Sequence, residues 1–250
     1  LINMTITSDN DVSGAGNIVL TSAPLNVNGG IITLNSNGQS VTQSGIIGGN
    51  ETINSVNGAV SIGLLNGDAV GTRNLTVNAG TGTFATTAVL GGTNKFNNVT
   101  VSADDVLLGA NIYGSGILTL QPTTLTKIVH VNNGSGDFNL STPEIGSLAD
   151  GWSNLNLGRM DGSLSNFHNI QRNGCSIYLY NVMDVTNASN SFTFNSGGGD
   201  IVFSGAIQGA SAKQIILNAG TGTISFGSTV NGTHGVTATA QAISFNGAWG

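Results

Sequence analysis

Short apolar runs recur along this chain, and within them apolar and polar residues take turns. In LTVNAGTG at 75–82, Leu75 and Val77 fall on one side of an extended chain and Thr76 on the other. The same order, apolar-x-apolar followed by Asn and a nearby Gly, returns as ITLNSNG at 32–38, FTFNSGGG at 192–199 and IILNAGTG at 215–222. Looser copies are ETINSVNG at 51–58 and VHVNNGSG at 129–136. A period of two over such short runs predicts strands. It assigns Leu75, Val77, Phe192 and Phe194 to an interior, and Thr76 and Thr193 to an outer face.

These strands belong to a repeat. NAGTGT occurs at 78–83 and at 218–223, an offset of 140, while NVTVSADDVLLGAN at 98–111 parallels GVTATAQAISFNGA at 235–248 at an offset of 137. A three-residue slip between two matching blocks is what a change of loop length produces. Neighbouring copies of the shorter pattern lie about 19 to 24 residues apart, close to the spacing of solenoid repeats. That period predicts an all-β fold, a parallel β-helix (β-solenoid) rather than a sandwich, with each short strand pairing with its counterpart one coil on. Gly would take the positive-φ corners, and Asn would tolerate the left-handed conformation and stack in hydrogen-bonded ladders. NAGTGT then reads as such a corner. On this spacing the 250 residues make about eleven coils, a single array over 1–250.

One segment departs from the pattern. In DFNLSTPEIGSLADGWSNLNLGRMDG at 137–162, Ser141 and Glu144 have the spacing of a capping box, Pro143 sits in the first turn and Gly151 is placed to end the helix. A short helix over about 142–149, in an irregular coil over 137–162, is predicted. The first residues, LINMTITSDND, already alternate like a strand and carry neither a basic start nor an apolar core. They read as an internal piece of a longer chain, or as part of a polymerising unit.

Composition sharpens this picture. Only 7% of residues are charged, against roughly 25% in ordinary soluble proteins. Gly supplies 38 residues, Asn 32 and Ser plus Thr 52, all favouring turns and strands over helices. The apolar share of 39% argues for a packed fold rather than a flexible tail. A net charge of −6 with no Lys/Arg cluster excludes nucleic acid as an expected partner. No run is long enough to span a membrane as a helix. The lone Cys175 permits no internal disulfide and reads as a small buried side chain.

Several stretches together carry a resemblance: LTLQPTT at 118–124, DFNLSTPEIGSLADGWSNLNLGRMDGS at 137–163, GDIVFSGAIQG at 199–209 and LNAGTGTISFGSTVNG at 217–232. They resemble the repeats of large secreted adhesins related to filamentous haemagglutinin, over about 70–250 by sequence and over 1–69 by composition and period. The resemblance implies a right-handed β-helical shaft, export from a Gram-negative bacterium by two-partner secretion or an autotransporter route, and an outer-surface or extracellular location. The Asn-Pro-Asn motif of that family's secretion domain is absent, so the resemblance is to shaft. It implies no catalytic residues and no cofactor. The expected partners are other coils, further copies of the chain, and glycans.

Parallel β-helices also include polysaccharide-processing enzymes, whose acids pair on adjacent coils. Here Glu51, Asp68, Asp137, Glu144, Asp150, Asp161, Asp184 and Asp200 are isolated in sequence, and Asp104 and Asp105 would face opposite sides of a strand. The densest polar window holds Arg159, Asp161, His168 and Arg172, and reads as a polar loop. Asp9, Asp11, Ser13 and Gly14 open like a calcium loop, but Leu20 stands where a bidentate Glu is required. His130, His168 and His234 are too dispersed for a zinc site. The pairs Thr5/Thr7, Thr81/Thr83, Thr221/Thr223 and Thr237/Thr239 do not recur at every coil and read as a hydrated outer face. Trp152, Tyr178, Tyr180 and Trp249 are candidates for sugar stacking, with packing the expected role. No catalytic, cofactor-binding or metal residue is assigned, and the chain is expected not to be an enzyme.

Overall fold

The computed structural model describes residues 2–8, 16–127, 129–131, 138–158, 164–167, 170–171, 176–179, 182–184, 192–208, 214–231 and 235–250. They form an all-β fold of parallel strands stacked as a β-solenoid of about eight turns, with one short helix. The chain divides into two compact units, Leu1–Thr124 with Gly146–Ala149, and Leu125–Ile145 with Asp150–Gly250.

The first unit contains β1 (Met4–Thr7), β2 (Ile18–Leu25), β3 (Ile31–Asn35), β4 (Val41–Ile47), β5 (Asn50–Asn54), β6 (Val60–Gly67), β7 (Leu75–Thr86), β8 (Val99–Leu108) and β9 (Ile117–Gln121). One wall stacks β1, β3, β5, β7, β8 and β9 in that order. A second stacks β2, β4, β6 and the later part of β7. Isolated bridges from Leu65 to Leu90, Leu90 to Ile112 and Ile112 to Leu148 add a third contact line. Along the first wall Met4 pairs with Ile32, Ile32 with Glu51, Glu51 with Leu75, Leu75 with Val99 and Val99 with Leu118. The steps are thus 28, 19, 24, 24 and 19 residues. The first exceeds the expected range, because the eight-residue β2 lies between β1 and β3. Registration survives because extra residues go to corners, while each strand keeps its inward positions over those below.

The second unit contains β10 (Val129–Val131), β11 (Phe138–Leu140), the first four residues of α1 (Thr142–Ser147), β12 (Asn154–Leu157), β13 (Leu164–Phe167), β14 (Ile170–Gln171), β15 (Ser176–Leu179) and β16 (Val182–Asp184). It continues with β17 (Phe192–Asn195), β18 (Ile201–Phe203), β19 (Ile207–Gln208), β20 (Gln214–Asn218), β21 (Thr223–Phe226), β22 (Gly235–Thr239) and β23 (Ala242–Phe245). Its strands form three walls: β12-β15-β18-β21-β23, β11-β10-β13-β16-β19 and β14-β17-β20-β22. Phe203, Phe226 and Phe245 occupy one inward column, with ring centroids 5.5 and 4.8 Å apart and planes within 4° of parallel.

Alternation assigns the interior correctly where it is described. Leu75, Val77 and Phe194 are buried, while Thr76 is half-buried and Thr193 exposed on the outer side. The side chain of Phe192 lies outside the described residues.

Both NAGTGT copies are corners. The first bends β7 between two walls, and the second joins β20 to β21. Gly80 and Gly220 adopt φ of 61° and 58°. The second glycine of each copy is required by close approach: a Cβ on Gly82 would stand 2.3 Å from the Gly58 carbonyl oxygen, and one on Gly222 2.2 Å from that of Gly199. Ala79 and Ala219 fill the inside of these corners, where other coils place Ser36, Ser55 and Ser196, all fully buried. Each of these serines donates its hydroxyl to the carbonyl three residues on.

The helix begins as expected. Glu144 Oε2 accepts the Ser141 N–H at 2.9 Å and the Ser141 hydroxyl at 2.7 Å. It ends at Ser147 rather than near 149. The Ser147 carbonyl accepts the Ile112 N–H at 2.9 Å and Ala149 N–H donates to the Ile112 carbonyl at 3.2 Å, which commits this stretch to extended pairing. Gly151 follows with φ of 110°.

Candidate functional site

The most regular surface lies on the first wall of the first unit. The outward middle position of successive strands is Thr5, Thr33, Thr52, Thr76, Thr100 and Thr119, all in register. Two residues on, a second column runs Thr7, Asn35, Asn54, Asn78, Ser102 and Gln121. Amides tie this column together. Asn54 Nδ2 donates to Asn35 Oδ1 at 2.9 Å, Asn78 Nδ2 to Asn54 Oδ1 at 2.7 Å, and Gln121 Nε2 to the Ser102 hydroxyl at 2.9 Å. Neither column contains a charged residue, so these two columns offer hydroxyls and amides alone. Of the named threonine pairs only Thr5/Thr7 joins these columns; the ladder is made by a single threonine per strand, and its signal was the middle residue of ITLN, ETIN, LTVN and LTLQ.

Other Asn side chains reach across turns to the backbone. Asn50 Oδ1 accepts Asn74 N–H at 3.0 Å, Asn74 Oδ1 accepts Asn98 N–H at 3.1 Å, and Asn98 Oδ1 accepts Ile117 N–H at 2.7 Å. Such bonds satisfy corner donors that have no ladder partner.

The acids whose surroundings are described have similar structural partners. Asp104 is buried, and its carboxylate accepts the N–H groups of Thr123 and Thr124 at 3.0 and 2.7 Å. Asp105 turns to the preceding strand and accepts the Thr83 hydroxyl at 3.4 Å. The two carboxylates diverge as expected, although the bend in β8 buries Ala103 and Asp104 in succession. Asp200 Oδ1 accepts Thr223 N–H at 2.7 Å. Asp68 forms a bidentate pair with Arg73 at 2.6 and 2.7 Å, which holds its carboxyl below the usual range. Asp150 lies on the exposed stretch after α1.

Glu51 is different. It points inward between Ile53 on its own strand and Gln43 on β4, and is 2% exposed. Gln43 Nε2 donates to both carboxyl oxygens, at 2.8 and 2.9 Å. Burial pushes this carboxyl up to about 7, against the lowering effect of the Gln43 hydrogen bond. The alternation in VTQS and ETIN already placed Gln43 and Glu51 inward, a signal masked by reading the acid only for pairing with other acids.

An open hollow of about 320 Å³ is lined by Ser44, Gly45, Ile46, Leu64 and Asn66 and carries no titratable group. Trp152 is buried, Tyr178 half-buried and Trp249 half-exposed, edge-on to Phe226 and Phe245. Packing therefore accounts for Trp152, and Trp249 extends the aromatic column. Arg159, Asp161, His168 and Arg172 lie outside the described residues, as do Asp9, Asp11, Ser13, Gly14, Asp137, Cys175, Tyr180 and His234. The same holds for the side chains of His130 and Asp184, while Leu20 lies in β2. Among the described residues no group of three His, Cys, Asp or Glu could hold a metal ion, and no helix is long and apolar enough to cross a membrane. Comparison of the chain with family models, with curated proteins and with solved structures yields no match.

Proposed function

We propose that this chain is a structural shaft segment of an extracellular adhesin or surface filament, without enzymatic activity. The observation that supports this reading is the unbroken registration of inward and outward columns through successive parallel strands, which spends the side chains on tying one turn to the next. The resemblance to haemagglutinin-like shafts supplies the proposed setting, the outer surface of a Gram-negative bacterium. Self-association is part of the proposal. Ile243, Phe245 and Trp249 continue buried columns yet are 43%, 50% and 51% exposed, a surface that a further turn of solenoid would cover. Electron microscopy of the purified protein should show rods or fibres one solenoid wide; compact particles would overturn the reading.

A second reading, a polysaccharide-binding or polysaccharide-cleaving β-helix, is favoured by the uncharged Thr/Asn face, whose hydroxyls and amides suit glycan hydroxyls. Binding on a glycan array that is lost in Thr76→Val, or release of sugar fragments, would favour it over a purely structural role.

A further inference from the structure

We propose that Glu51 is held in the first unit as a neutral carboxylic acid paired reciprocally with the Gln43 carboxamide, making the turn formed by β4 and β5 an acid-favoured lock that tightens when the proton binds and loosens when it leaves.

The geometry carries the argument. With Gln43 Nε2 in the fork of the carboxyl group, Gln43 Oε1 is buried without a hydrogen-bond partner. A carboxylate has only acceptors and offers nothing to an orphaned amide oxygen. A carboxylic acid has one O–H. Rotation of the amide in its own plane sets Oε1 against one Glu51 oxygen while Nε2 keeps the other. The acid then donates to the amide oxygen, the amide donates to the acid, and both polar groups are satisfied. The proton comes from water, and no other bond changes.

The surroundings offer the charged form no compensation. Ile32 and Leu75 stack on either side of Glu51, and Leu20 and Ile62 on either side of Gln43. The strands packed against the pair, β2, β3, β4, β6 and β7, contain no titratable residue, and Glu51 is the only one in β5. Asp68 and Arg73, which follow β6, are bonded to each other at a corner. A buried anion in such a place has a single amide for support, so burial favours the neutral form.

The sign of the effect follows. The group binds its proton more tightly in the folded chain, at about 7, than at the ordinary 4.5. Its contribution to stability is therefore complete below 4.5, declines above it, and is gone once pH has risen through 7.

The chain contains only two glutamates, Glu51 and Glu144, so carboxyl-labelled glutamate gives two carbon signals in the whole protein. The signal missing from Glu51→Gln should titrate near neutrality in the wild type, and the Gln43 side-chain amide should shift with the same midpoint. Glu144→Gln assigns that signal by elimination if Glu51→Gln does not fold. In urea unfolding, the wild-type constant should rise relative to that of Glu51→Gln by on the order of 100-fold between acid and mildly alkaline pH. A Glu51 signal titrating in the ordinary carboxylate range, a Gln43 amide indifferent to pH, or identical pH profiles for the two proteins would each overturn the proposal.

Discussion

In the first unit Asn54 gives its amide to Asn35 one turn away and takes another from Asn78 on the opposite side. In the second unit the Asn residues of the same motif look to their own corners: Asn195 Oδ1 accepts Gly197 N–H, and Asn218 Oδ1 accepts Gly220 N–H. Inside, the order reverses. The inward column of the first unit through Leu34, Ile53, Val77, Val101 and Leu120 is aliphatic, whereas the second stacks Phe203, Phe226 and Phe245. One ladder can therefore be stiffened from outside by amides or from inside by rings, because stacking places like residues over like in both positions.

The largest expected effect tests the rings. Phe226→Ala removes the middle member of the stack and should cost about 4 kcal/mol in urea unfolding followed by near-ultraviolet circular dichroism. A loss below about 1 kcal/mol would mean that the rings stack without supporting the unit. Next come the corners that both units share. Gly82→Ala and Gly222→Ala each drive a methyl into a carbonyl of the preceding coil and should each cost about 3 kcal/mol. Unequal losses would break the equivalence of the two NAGTGT copies.

The amides come third. Asn54→Ala deletes two cross-turn bonds and should cost about 1 kcal/mol, while Asn218→Ala deletes a local one and should cost about half as much by the same assay. Equal costs would remove the distinction between ladder and local turn. The smallest effect has the opposite sign. Val56 is a β-branched residue at φ 47°, where the preceding coil has Asn37 at the same φ. Val56→Asn should raise stability by roughly 0.5 kcal/mol, read as a small increase in the urea midpoint.

Much of this was legible in the sequence, because side-chain alternation and the recurrence of Asn and Gly are local properties. The corner role of NAGTGT, the inward Leu75 and Val77, and the Ser141 and Glu144 cap follow from such rules. What escaped depended on stacking. That Thr33, Thr52, Thr76, Thr100 and Thr119 form one column requires the register, which steps of 19 and 24 residues conceal from any fixed period. The bend that buries both Ala103 and Asp104 depends on β8 following β7 around a corner. Helix α1 ends early for a similar reason, since its last carbonyl is claimed by Ile112, far away in sequence.

The unequal steps along the first wall also bear on how such a chain can grow. Because alignment is judged strand by strand and not by residue count, a duplicated stretch need not match its template in length to join the stack. Unequal crossing-over between copies, which would scramble a fold of fixed period, here yields another usable coil. A sequence of this kind can lengthen or shorten in single-turn increments, and a corner such as the one that carries α1 can take on an insertion while the strands around it keep their places.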